Sequence, residues 1–181
     1  MRMKLVVLLL VIINYQKGET LFTVTINGEL KSCDNNVDMI GWDTSTLEVL
    51  QLDKENTTLN GKLILLKDYN NPLSVKISAT RLVSGHWVPS FARWFPNFCS
   101  LIQAPNEMWS PVVKYMKQQS CPFKAGHTET FDNVNLGNWV RNKTIPTPYL
   151  TEWKAFIDVV TERDGGYVKE CSMLEFLLED V

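Results

Sequence analysis

The sequence predicts an all-β protein, a two-layered sandwich with one short helix, and three observations point to it. Apolar and polar residues alternate with a period of two along several segments. Those segments recur about every 10 residues, the spacing of a sandwich or barrel. The stretches between them carry turn residues rather than long helical patterns. Alternation has a simple cause: successive side chains of a strand point to opposite faces, so a sheet with one face on a core and one on water reads in this way.

The elements follow in chain order. In Leu21 to Ile26, Phe22, Val24 and Ile26 alternate with Thr23 and Thr25. Thr46 to Leu52 sets Leu47 and Val49 against Glu48 and Leu50, and Gly61 to Leu66 continues the series. Leu73 to Val83 puts Val75, Ile77 and Ala79 opposite Ser74, Lys76 and Ser78, after a turn at Asn70-Asn71-Pro72. Glu152 to Thr161 alternates again, with Trp153, Ala155, Ile157 and Val159 on one side. Arg163-Asp164-Gly165-Gly166 is then a hairpin turn, because Asp-Gly accepts positive φ at small cost, and Tyr167 to Leu178 returns as a long strand. In the middle, Ser110-Pro111 reads as the start of a short helix, with Ser as its cap and Val112, Tyr115 and Met116 on one face.

The N-terminus points to export. Arg2 and Lys4 precede an unbroken apolar run, Leu5 to Ile13. Nine residues are too few to span a bilayer, which takes roughly 20, and the pattern is that of a secretory signal peptide covering residues 1–18, cut near Gly18. Residues 19–181 then form one domain. The leader holds three of the 18 basic residues and none of the 20 acidic ones, so the mature chain is acidic. That sign of charge argues against nucleic acid as a partner, and no later stretch is apolar enough to be an integral membrane segment.

Cys33, Cys99, Cys121 and Cys171 make an even set, which in an exported chain reads as two disulfides. Spacing leaves all three pairings open. Without a Cys-x-x-Cys pair, and with only His86 and His127 to assist, no metal site is predicted. Asn56 and Asn142 stand in glycosylation sequons, in keeping with export.

No catalytic residue and no cofactor are expected. A hydrolytic triad needs a nucleophile, a base and an orienting group together. His86 follows Gly85 in what reads as an exposed loop, His127 reads as a strand-edge residue, and Asp43 and Glu48 read as solvated carboxylates. The aromatic inventory is richer. Trp87, Phe91, Trp94, Phe95 and Phe98 crowd together, and Phe91, Trp94 and Phe95 are spaced to share one face of a helical turn. So much apolar surface must dock, either as a plug of plain core or as the lid of a cavity between the sheets. Trp87, Phe91, Trp94, Phe95, Trp109, Phe131 and Trp139 are the expected wall or rim of such a cavity.

The stretch Cys121-Pro122-Phe123-Lys124-Ala125-Gly126 resembles the Cys-Pro-Phe-Lys-x-Gly stretch of the GM2 ganglioside activator. The order of later features is similar too: Ile145-Pro146-Thr147-Pro148, the alternating strand Trp153 to Thr161, Gly165-Gly166, and a last strand bearing Cys171. The match covers about the last 60 residues well and the first 80 in outline. The chain thus looks like the MD-2-related lipid-recognition group, and within it most like the insect CheA and CheB chemosensory proteins. The resemblance implies an immunoglobulin-like β-sandwich splayed into an apolar cup, with Cys33 joined to Cys171 and Cys99 to Cys121. It also implies a secreted, non-enzymatic carrier or presenter of lipids or hydrocarbon-like ligands, in gustatory pheromone detection and with a chemosensory receptor as a further partner. The rival expectations are a receptor accessory with a filled core and a lipid-lifting activator of a hydrolase.

Overall fold

Alternating burial along the chain builds two antiparallel sheets whose apolar faces meet. The computed structural model describes residues 22–26, 30–33, 37–51, 57–137 and 146–180. The leader at 1–18, Asn56, Asn142 and Trp139 lie outside the described residues.

The first sheet runs in the order β1 (Phe22–Ile26), β10 (Gly166–Asp180), β9 (Glu152–Arg163), β6 (Leu73–Val83), β7 (His86–Phe95), and β2 (Lys31–Ser32) also pairs with β10. The second centres on β5 (Thr57–Leu65). One edge of β5 meets β3 (Trp42–Asp43) at Ile64 and Leu65 and β4 (Glu48–Gln51) from Thr57 to Asn60. The other edge takes β8 (Thr128–Gly137).

Two hairpins organise the first sheet. In β9–β10, Arg163 pairs with Gly166 and both loop residues, Asp164 and Gly165, have positive φ (52° and 77°). These are the values of a type I′ turn, whose twist matches that of the strands. In β6–β7, Val83 pairs with His86 across Ser84 and Gly85, again at positive φ. On β6 and β9 every second residue is buried, as the alternation predicts: Leu73, Val75, Ile77 and Ala79, then Trp153, Ala155, Ile157 and Val159.

The segment from Trp87 to Phe95 departs from the helical expectation. It is a strand, paired along its length with β6. The register slips between Ala79 and Thr80, leaving Ser90 unpaired opposite them. Beyond the slip, Phe91 and Phe95 lie opposite the inward residues Ala79 and Val75, and Trp94 lies opposite outward Lys76. A period of two thus separates residues that a period of 3.6 would have brought together.

Between β7 and β8 the chain makes two four-residue helices, α1 (Phe98–Leu101) and α2 (Ser110–Val113). Asn97 caps α1 by accepting from the Ser100 amide. Ser110 is not the cap of α2 but its first residue, and its hydroxyl donates to the Ala104 carbonyl at 2.9 Å. Val112 and Val113 are the buried pair, whereas Tyr115 is exposed and donates to the Asn135 carbonyl. So short a helix presents two adjacent residues inward rather than a stripe.

Two disulfides close the fold, Cys33–Cys171 and Cys99–Cys121, and no free cysteine remains. The pairing is the one that the resemblance implies. Cys171 and Met173 sit on the face of β10 away from the main core, where they form a small cluster with Cys33, Val37 and Phe156.

Gly61 marks a point where the backbone has no room. Its φ is +105°, and a Cβ there would lie 2.0 Å from the Thr46 carbonyl oxygen. A side chain meets both a disfavoured conformation and a fixed neighbour. Gly61→Ala is expected to lower the unfolding free energy by about 2 kcal/mol or more, read from urea denaturation.

Candidate functional site: an apolar cavity between the sheets

The inward faces do not fill the space between them. A cavity of about 150 Å³ remains, lined by Leu59, Leu63, Leu65 and Phe131 of the second sheet, Leu73 and Ile157 of the first, and a roof from the connection between β7 and β8. The roof contributes Phe98, Ile102, Trp109, Val112, Val113, Met116 and Phe123. Met39, which also lines the cavity, is 38 % exposed.

Trp109 organises the roof. Its ring meets Phe95 and Phe98 edge-on, at 4.9 Å and 4.8 Å between centroids, an arrangement that aromatic quadrupoles favour. Its indole N–H donates to the Ile102 carbonyl at 2.9 Å, which fixes the ring's rotation. The Cys99–Cys121 bridge ties the two ends of this segment together.

Of the residues expected at the wall or rim, the structure places Trp109 and Phe131 on the cavity wall. Phe95 is buried behind Trp109, and Phe91 is half-buried against the core. Trp87 and Trp94 face the other way. Trp94 is 66 % exposed and its indole donates to the Ser74 hydroxyl. Trp87 lies under the Lys154 ammonium, 4.6 Å from the ring centre, in an open depression on the outer face of the first sheet. Strand alternation is the reason in both cases.

Two buried carboxylates flank the cavity region, and neither was singled out from the sequence. Glu129 of β8 lines the cavity and accepts from the Lys117 and Gln118 amides, each at 2.8 Å, while His127 Nε2 lies 2.6 Å away. Burial alone would raise its pKa; the bonds from His127 and the two amides outweigh that and hold it below the ordinary value. The carboxylate thereby fastens the chain after α2 to β8. His127 itself stands immediately before β8 and is half-buried.

Glu170 of β10 points between the sheets and is 1 % exposed. It accepts from the Tyr69 hydroxyl at 2.7 Å and from Arg163 at 2.9 Å, with Lys67 Nζ at 3.2 Å. Burial raises its pKa and these three donors lower it further still, so the net shift is downward. Tyr69 is pushed up, first by burial and then by the carboxylate beside it. No single stretch of sequence signals this cluster, because its members come from strands and loops about a hundred residues apart.

The class that fold and site define is a sandwich-like antiparallel β protein, joined by two disulfides, with an apolar cavity between its sheets. No family model matches the chain, and no curated protein matches it. Among the described residues no helix is long and apolar enough to cross a membrane.

Proposed function

We propose that this chain is a secreted, non-enzymatic binder and presenter of apolar molecules, of the MD-2-related lipid-recognition type. The carrying observation is the almost wholly apolar cavity between the sheets. Concave apolar space with few polar groups is the usual form of a small-ligand site. The two disulfides fit an oxidising compartment, as do the apolar leader and the sequons. Presentation of the ligand to a receptor in contact chemosensation, and hydrocarbons or lipids as cargo, follow from the likeness to CheA and CheB proteins.

Size narrows the reading. A cavity of about 150 Å³ holds a group the size of benzene. Sites for drug-sized ligands span roughly 300–1,000 Å³. Six buried carbons at roughly 0.8 kcal/mol each correspond to about millimolar binding. Tight binding of a long chain therefore requires the chain to continue beyond the cavity, or the sheets to part.

The test is a fluorescent fatty-acid probe added to delipidated protein. Saturable binding that decane or oleate displaces is expected. Val112→Trp, which fills the cavity from the roof, is expected to weaken the probe at least about tenfold while circular dichroism stays unchanged. Absence of saturable binding overturns the carrier reading in favour of a receptor accessory. Transfer of lipid out of vesicles instead marks an activator that lifts lipid for a hydrolase.

A further inference from the structure

Among the described residues, one buried polar tie holds the roof of the cavity to the strands. The Cys99–Cys121 bridge draws the ends of residues 99–121 together, with 5.6 Å between their Cα atoms. These residues form a closed loop that contains α2 and most of α1. From this loop Ile102, Trp109, Val112, Val113 and Met116 line the cavity. Polar bonds of the described residues join the loop's interior to the strands at three places. Arg93 of β7 pairs with Glu107, and the Tyr115 hydroxyl donates to the Asn135 carbonyl of β8. Arg93 and Tyr115 are exposed, and exposed bonds of this kind contribute little. The third place is Glu129, 2 % exposed, whose two oxygens accept the Lys117 and Gln118 amides at 2.8 Å each.

A ligand between the sheets needs a way in. Leu59 and Leu65 of β5, Leu73 of β6 and Ile157 of β9 belong to paired strands, so passage through those walls breaks backbone ladders. The loop lies outside the ladders, and such elements open locally at the smallest cost. We propose that this loop is a lid that swings about the Cys99–Cys121 bridge to admit and release the cavity's ligand, and that the Glu129 carboxylate is the latch that holds it shut. The inference rests on the reading that the cavity takes apolar ligands, and it concerns how fast they exchange. The latch requires a carboxylate. Ionised, it offers acceptors alone, and two neighbouring amides converge on it, with His127 Nε2 2.6 Å away. A carboxamide of the same shape sets its own NH2 group against one of those amides, so Glu129→Gln loosens the latch with little change of volume.

The test follows uptake and release of a fluorescent fatty-acid probe by stopped flow, on the full chain, on Glu129→Gln and on Tyr115→Phe. Glu129→Gln is expected to speed uptake and release about tenfold each and to leave the dissociation constant within about twofold. A gate that opens more often helps passage in both directions alike, whereas damage to the wall weakens binding without faster uptake. Tyr115→Phe is expected to keep both rates within about twofold of the unaltered chain. Unchanged rates in Glu129→Gln, equal acceleration by Tyr115→Phe, or weaker binding without faster uptake overturns the latch and leaves the carrier reading intact. Failure of the unaltered chain to bind the probe overturns both. If Glu129→Gln does not fold, hydrogen exchange on the unaltered protein decides. The Lys117 and Gln118 amides are expected to be about a hundredfold less protected than the amides of β9. Equal protection, set by global unfolding, overturns the lid.

Discussion

Replacing Cys33 and Cys171 together by alanine is expected to lower the unfolding free energy by about 5 kcal/mol, the largest effect of any change considered for this chain. The bridge joins residues 138 apart and so restrains almost the whole unfolded domain, whereas Cys99–Cys121 spans 22. In the chain-entropy description the shorter loop contributes about 3 kcal/mol. Domains are stable by only about 5–15 kcal/mol, so the Cys33/Cys171 variant is expected to be largely unfolded at body temperature and the Cys99/Cys121 variant folded. Urea titrations of the two double variants provide the measurement. Equal losses would rule out loop length as the source of the difference.

Glu170→Ala is expected to cost about 3–5 kcal/mol, because it leaves Arg163 and Tyr69 between the sheets without their anion. Lys67 is a third exposed and contributes little of this. The pH dependence has a definite sign. The folded pKa of Glu170 lies below the ordinary value of 4.5, so its stabilisation is complete above that value and is lost as pH falls through the lower, folded one. Glu129 acts in the same direction. Stability is therefore expected to be flat from pH 7 down to about 5 and to fall steeply below 4. Glu170→Gln is expected to lower the plateau and to make the acid slope shallower. An acid slope identical to that of the unaltered chain would show that the carboxylate is not part of it.

Much of the architecture was legible from local pattern. Glu152 to Leu178 could be read as a hairpin because Trp153, Ala155, Ile157 and Val159 share one face and the turn needs positive φ at Asp164 and Gly165. Leu73 to Val83 was equally plain. The strand His86–Phe95 was hidden for a physical reason. Its outward side bears two tryptophans, and the slip at Ser90 breaks the period of two, so the apolar spacing imitates a helical turn. The candidate site was legible in part. Trp109 and Phe131 were found through their apolar bulk, but Glu129 and Glu170 matter through partners that only the folded chain brings near. Short polar-flanked stretches around them carry no mark of that.

The irregularity in β7 bears on how copies of the molecule treat one another. β7 closes one border of the first sheet, and among the described residues no further strand lies beyond it. An open border offers a row of unused amides and carbonyls on which another chain could zip itself into a growing fibre. Here Pro89 supplies no amide, and the unpaired Ser90 next to it throws the row out of step. A strand arriving from a second copy finds no continuous ladder to climb, so the chain can be crowded at high concentration without seeding sheet-to-sheet polymers along that side.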